Sequence, residues 1–292
     1  MMKRITGVLL ACLVVAGGSV GAWQGGGSSF DSNGVAIHYV DRGRGEAVVL
    51  IHGFTGTHER HFGAPGVIAA LETAGYRAIA LDCRGHGQSG KPTDAAQYGM
   101  EMVRDVMRLL DHLKIDRAHI VGYSMGGAIA NQALIQYPKR IASVTLVGAG
   151  WAGEDLRAPT TQLQTLADGL AKKDASALIR GVTAGQTPPT DAEIAALNAA
   201  LFARNDPDAL AAVARSMIQL LDVPAASLRA VTVPMQAIIG EHDASNLDGV
   251  KRMATVVPKL EIVQIPGATH STSVRLSAPH IVAFLNRQRT GK

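Results

Sequence analysis

His119-Ile120-Val121-Gly122-Tyr123-Ser124-Met125-Gly126-Gly127 is a short apolar run that ends in a glycine-flanked serine and continues as a helical pattern. The string matches G-x-S-x-G, in which a strand turns so sharply into a helix that the serine hydroxyl stands exposed at the apex. Gly122 and Gly126 leave room for that turn, because side chains there would meet neighbouring backbone. The helical pattern runs through Ala128, Ala130, Leu134 and Tyr137 and stops at Pro138. Its amino terminus therefore faces Ser124 and offers free N–H groups to a developing oxyanion. Ser124 is the candidate nucleophile. A serine in an ordinary glycine-rich turn is the competing reading until partners are found for it.

Outward from this stretch, strands and helices alternate. Residues 47–51 (Ala47-Val48-Val49-Leu50-Ile51), 77–81 and 141–147 are continuous apolar runs, as expected of strands covered on both faces. An earlier strand is expected over residues 35–39, with a turn at Asp41-Arg42-Gly43, and later ones over 233–240 and 260–265. Helical periods occupy residues 67–74, 98–113, 249–256 and 277–287. This order predicts an α/β fold with a mostly parallel, doubly wound sheet. Residues 151–230 break the alternation. They are alanine-rich and helical throughout, with a capping box at Thr190-Asp191-Ala192-Glu193 and an N-cap followed by proline at Asp206-Pro207. Inserted after the strand over residues 141–147, they are expected to cap the sheet's carboxyl edge, where ligands bind in such sheets.

A serine hydroxyl is a poor nucleophile at neutral pH and needs a base, itself oriented by a carboxylate. Of the ten histidines, His270 follows the last strand and precedes the closing helix, in Gly267-Ala268-Thr269-His270. His280 lies in a helix, His112 on a helix flank and His38 in an early strand. His52 and His86 sit in glycine-rich loops suited to organising backbone. Glu241 and Asp243 follow the penultimate strand, and Asp243 is preferred because it lies further into the loop. The loop after Val147 has no acid at its tip, although Glu154 and Asp155 lie a little beyond. Two backbone N–H groups are expected to hold the oxyanion, those of Met125 and of Phe54 in the loop after residues 47–51. Phe54, Tyr123, Met125, Trp151 and Phe202 are the candidate pocket side chains, with Leu201 and Met217 as further apolar cap residues.

Met1-Met2-Lys3-Arg4 followed by an apolar run reads as a secretory signal peptide over residues 1–22, with cleavage after Ala22. The run is shorter than the roughly 20 residues that span a bilayer, so no stable membrane span is expected after cleavage, although a retained anchor is the alternative. A secreted or periplasmic location follows from this reading. Residues 23–34 are expected to be a flexible leader, 35–150 and 231–292 the two parts of the core, and 151–230 the cap. Cys12 and Cys83 are the two cysteines, so only Cys83 remains after cleavage and no internal disulfide can form. The formal charge of +4 falls by the two charges of Lys3 and Arg4, and no basic block follows, so nucleic acid is not an expected partner.

His52-Gly53-Phe54, Asp82-Cys83-Arg84-Gly85-His86-Gly87-Gln88-Ser89, the Ser124 turn, Gly240-Glu241-His242-Asp243 and Gly267-Ala268-Thr269-His270 together resemble the α/β-hydrolase superfamily, over residues 35–287. The resemblance is to its lid-bearing esterases, lactone hydrolases, carbon–carbon bond hydrolases and cofactor-free haloperoxidases. It implies a Ser124–His270–Asp243 triad acting on a small-molecule ester or lactone through an acyl-enzyme. Carbon–carbon bond cleavage or perhydrolysis on the same triad is the alternative, and a non-turnover small-molecule receptor a further one. Dehalogenases and epoxide hydrolases of this fold carry aspartate where Ser124 stands. No metal-ligand spacing or dinucleotide fingerprint is present in the sequence, and the implied chemistry requires no cofactor.

Overall fold

The structure is a computed structural model that describes residues 27–183 and 188–289. Residues 1–26, which hold the expected signal peptide and the start of the leader, lie outside the described residues. The core contains β1 (Ser28–Asp31), β2 (Ala36–Gly43), β3 (Ala47–Ile51), α1 (Val67–Thr73), β4 (Arg77–Leu81), α2 (Met100–His112), β5 (Ala118–Tyr123), α3 (Met125–Gln136) and β6 (Ile141–Val147). Six helices follow: α4 (Arg157–Ala171), α5 (Ser176–Val182), α6 (Asp191–Phe202), α7 (Pro207–Ser216), α8 (Ile218–Leu221) and α9 (Ala225–Arg229). The chain closes with β7 (Met235–Gly240), α10 (Ala244–Ala254), β8 (Glu261–Ile265), α11 (His270–Leu276) and α12 (Ala278–Gln288).

The eight strands form one sheet in the order β1-β2-β4-β3-β5-β6-β7-β8. From β4 to β8 all pairings are parallel, and β1 and β2 run antiparallel at one edge. This is the α/β-hydrolase fold, a mostly parallel sheet flanked by helices. β3 shows why both faces must be covered. Val48 and Leu50 pack with Phe62, Val67, Leu71 and Phe284, while Val49 and Ile51 pack with Val103, Val106, Leu110 and Ile129 on the other side. Successive strand side chains point to opposite faces, so a five-residue apolar strand feeds two cores at once. Each such side chain, removed from water, stabilises by about 1.5–3 kcal/mol. After β3 the chain moves to β4 on one side and later to β5 on the other, which opens a crevice at the carboxyl ends of β3 and β5.

Two expectations at the amino-terminal edge are corrected. Ser28–Asp31, expected within the leader, is a strand paired in register with Ala36–Tyr39. Phe30 anchors it, buried against Tyr39 and stacked on the His112 ring at 5.2 Å. The surrounding glycines and serines mask that single aromatic in composition. β2 also continues past Tyr39 to Gly43, through the expected turn, because Asp41 pairs with Ile79 in the ladder and accepts the Arg77 guanidinium at 2.6 Å.

Between β6 and β7, Thr190 and Glu193 form the expected capping box and Asp206 caps α7 through the Ala209 N–H at 2.8 Å. Leu170, Ile179, Ile194, Leu201 and Leu210 form a separate apolar cluster in these helices, and Phe54 touches both it and the main core. Val213 of α7 lies over the Gly85 turn, so the helices sit across the carboxyl ends of β3 and β4. Among the described residues no helix is long and apolar enough to cross a membrane.

Candidate active site

Ser124 occupies the turn between β5 and α3 with φ 53° and ψ −115°, a left-handed backbone region that costs a non-glycine residue about 1–3 kcal/mol. Close backbone approaches hold it there. A Cβ on Gly126 would lie 2.0 Å from the Ile51 carbonyl oxygen, and one on Gly122 2.2 Å from the Gly126 carbonyl oxygen. The Ser124 N–H donates to the Val147 carbonyl at 2.9 Å. Met125 begins α3, so its N–H has no intrahelical acceptor. The loop after β3 lies directly alongside, since a Cβ on Gly53 would come within 3.1 Å of Ser124 Cβ. The Gly53 N–H is taken by His61 Nδ1 at 3.2 Å, and the Phe54 N–H has no acceptor among the described hydrogen bonds. The N–H groups of Met125 and Phe54 thus both lack an acceptor among the described hydrogen bonds, on either side of Ser124.

His270 is the first residue of α11, whose start is fixed by the Thr269 hydroxyl accepting the Thr272 N–H. The sequence placed it in a loop; the short helix instead sets its ring direction. Its Nε2 lies 3.1 Å from Ser124 Oγ and its Nδ1 2.7 Å from Asp243 Oδ2. For Ser124 to donate to Nε2, the ring must carry its proton on Nδ1 and donate that to Asp243. Asp243 is buried at the amino terminus of α10, and its Oδ1 accepts a 2.8 Å bond from Asn246 Nδ2. Asn246 Nδ2 also lies 3.3 Å from His270 Nδ1, but with both atoms donors that contact is proximity rather than a bond.

The other candidates divide. Phe54 is half-buried between core and cap, and Phe202 packs against the cap cluster. Tyr123 is buried beside the site. Its ring stacks on His270 at 5.2 Å, behind the base. Trp151 lines a small cavity with Ala128, Asn131 and Val223, and its indole N–H donates to the Val223 carbonyl at 2.8 Å, which pins the root of the cap. Met125 is buried in the main core, so its backbone rather than its side chain meets the site. Glu241 accepts the Gly267 N–H at 2.8 Å, Glu154 the Ala225 N–H at 3.2 Å, and Asp155 pairs with exposed Arg157.

His52 and His86 organise backbone, as their loops suggested. His52 Nε2 accepts the Cys83 N–H at 2.9 Å, which leaves its Nδ1–H to donate to the Gly53 carbonyl at 2.8 Å. His86 Nδ1 lies 3.1 Å from the Arg84 carbonyl. Burial lowers the pKa of His52, pushes that of His86 down to about 3, and holds that of His61 well below the usual range. Such rings stay neutral beside the site. His61, edge-on to Tyr123 at 4.8 Å, and Asn246 belong to the site but carry no motif signal in the sequence.

A family model of the alpha/beta hydrolase fold matches residues 46–236. The chain belongs to the α/β-hydrolase family. Over 141 residues this α/β hydrolase is 38% identical to 2-hydroxy-6-oxo-6-phenylhexa-2,4-dienoate hydrolase of Comamonas testosteroni, a match covering 45% of the chain and 46% of that protein. Over 123 residues it is 38% identical to an epoxide hydrolase of Caballeronia sordidicola, covering 41% of the chain and 36% of the relative. The chain thus spans less than half the length of these curated relatives. A solved carboxylesterase structure from Nitrososphaera gargenis shares the fold with a TM-score of 0.69 at 23% identity, over 90% of this chain and 98% of that one.

Proposed function

We propose that this α/β hydrolase cleaves a carboxylic ester or lactone through an acyl-enzyme on Ser124. The observation that carries the reading is His270, whose two ring nitrogens lie 3.1 Å from the Ser124 hydroxyl and 2.7 Å from the Asp243 carboxylate. His270 Nε2 takes the Ser124 proton as Oγ attacks the carbonyl carbon. The oxyanion is held by the N–H groups of Met125 and Phe54, and Asp243 stabilises the imidazolium. Collapse expels the alcohol with the proton from Nε2. Water, deprotonated by His270, then attacks the ester to Ser124 and releases the acid. Ser124→Ala is expected to lower kcat on short activated esters by on the order of 10⁴-fold or more with Tm preserved. Equal turnover by the two proteins would remove the reading.

Carbon–carbon bond hydrolysis on the same triad is the second reading, favoured by the 38% identity to the dienoate hydrolase of Comamonas testosteroni. Turnover of vinylogous diketone acids with no turnover of esters or lactones would select it. We further propose export, on the basic head and apolar run of residues 1–22. Amino-terminal sequencing of exported protein is expected to begin at Trp23.

A further inference from the structure

Outside the triad, His38, His58 and Asp82 bring two imidazole nitrogens and a carboxylate within 4.8 Å of one another, all three residues buried. They come from β2, from the loop after β3 and from the end of β4, and backbone contacts fix each one. The Asp82 N–H donates to the His38 carbonyl at 2.8 Å, and the His38 N–H to Ser89 Oγ at 2.9 Å. The His58 N–H donates to Asp82 Oδ1 at 2.9 Å, and the Gln88 N–H to Asp82 Oδ2 at 2.9 Å. Each carboxylate oxygen therefore carries one backbone donor and keeps a second lone pair facing the histidines. His58 Nδ1 lies 2.8 Å from Oδ1.

His38 Nδ1 is the atom that hydrogen bonding leaves unexplained. It is 3.4 Å from Asp82 Oδ2 but makes no hydrogen bond there, and it is buried without any other partner. Buried polar atoms in native structures are nearly always satisfied. We propose that His38 Nδ1, His58 Nδ1 and Asp82 form a structural divalent-metal site of zinc type, separate from the triad. Zinc takes imidazole nitrogen and carboxylate oxygen at about 2.0–2.2 Å, which places neighbouring tetrahedral ligands roughly 3.3 Å apart. The two histidine–carboxylate separations, 2.8 and 3.4 Å, bracket that spacing, and all the ligand atoms lie within 4.8 Å of one another. On binding, the histidines coordinate as neutral rings, so a proton on either Nδ1 is released to solvent. The site would fasten β2 and the carboxyl end of β4 to the loop that also carries Phe54. A Cβ on Gly27 would meet His38 Nε2 at 2.0 Å, so the strand entering β1 closes over the ring and metal enters as the chain folds.

The test uses untagged full-length chain refolded from denaturant with zinc sulfate or without metal, then dialysed against metal-free buffer. Elemental analysis is expected to give about one zinc per wild-type chain and well under half that for His38→Gln, with Ser124→Ala retaining the wild-type content. Zinc is expected to raise Tm of the wild type and not of His38→Gln. Wild type refolded with cobalt(II) is expected to show the visible absorption of cobalt bound by imidazole nitrogen and carboxylate oxygen, a measurement that stands even if His38→Gln does not fold. Wild-type chain that retains no zinc and shows no such cobalt spectrum overturns the proposal and leaves a hydrogen-bonded His–Asp cluster. Equal zinc in His38→Gln overturns it too.

Discussion

Tyr123 lies flat against His270, with ring centroids 5.2 Å apart at an interplanar angle of 28°, and its hydroxyl donates to the His270 backbone carbonyl at 3.2 Å. The residue before Ser124 thus supports the ring that faces the Ser124 hydroxyl. The same ring receives the edge of His61, so the loop after β3, the turn at Ser124 and the start of α11 meet in one aromatic stack. Tyr123→Phe keeps the stack and removes one hydrogen bond, for which a loss of about 0.5–1.5 kcal/mol in stability and a several-fold fall in kcat are expected. Tyr123→Ala removes the support and is expected to cost about 3–5 kcal/mol, read by urea unfolding.

Asn246 donates to Asp243 Oδ1, the carboxylate oxygen that His270 does not use. Asn246→Ala is expected to lower kcat about tenfold or more while changing KM little, because it loosens a group whose role is to hold the imidazole. Steady-state kinetics on one ester series separates the two constants. An unchanged kcat would show that Asp243 holds the imidazole without this anchor.

A methyl group at Gly53 would lie 3.0 Å from the Tyr123 ring and 3.1 Å from Ser124 Cβ, tight enough to move the loop without preventing folding. Gly53→Ala is expected to displace the Phe54 N–H and reduce kcat by about 10²-fold, in the range of losing one oxyanion donor. Far-ultraviolet circular dichroism should remain that of the wild type.

Arg84 is buried and forms a bidentate pair with Asp105 through Nε and Nη2 at 2.6 and 2.5 Å, while Nη1 donates to the Gln97 carbonyl and Nη2 also reaches the Ser32 carbonyl. Arg84→Met leaves the buried Asp105 carboxylate with only Arg108, 3.9 Å away, a change expected to destabilise by about 3–5 kcal/mol. Denaturant unfolding measures it, and a loss below about 1 kcal/mol would contradict the pairing.

Acid should unfold this protein early. Burial lowers the pKa values of His52, His61 and His86 from the usual 6.5, that of His86 to about 3. Below pH 6.5 the unfolded chain takes up protons that these native rings refuse, so their stabilisation is complete above pH 6.5 and is lost as pH falls toward the native values. Each contributes a slope of up to about 1.4 kcal/mol per pH unit. Unfolding free energies measured at pH 7.5, 6.5 and 5.5 should decline across the lower interval, and His86→Asn should make the decline shallower. A flat profile over that interval would contradict the burial of these rings.

Local chemistry in the sequence determined the continuous apolar strands, the glycine-flanked turn at Ser124, and the residue types placed after the last two strands at Asp243 and His270. Each is set by covalent neighbours: a strand buried on both faces must be apolar at every position, and a backbone forced against Ile51 tolerates only glycine at residue 126. Tertiary structure decided the orientations. Tyr123 turned behind the base, Trp151 turned into the root of the cap, and Phe30 drew Ser28–Asp31 into the sheet. Asn246 reached Asp243, and His38, His58 and Asp82 converged from three separate elements. Those outcomes depend on which surface each side chain finds once the strands are in register, and sequence spacing carries no record of that surface.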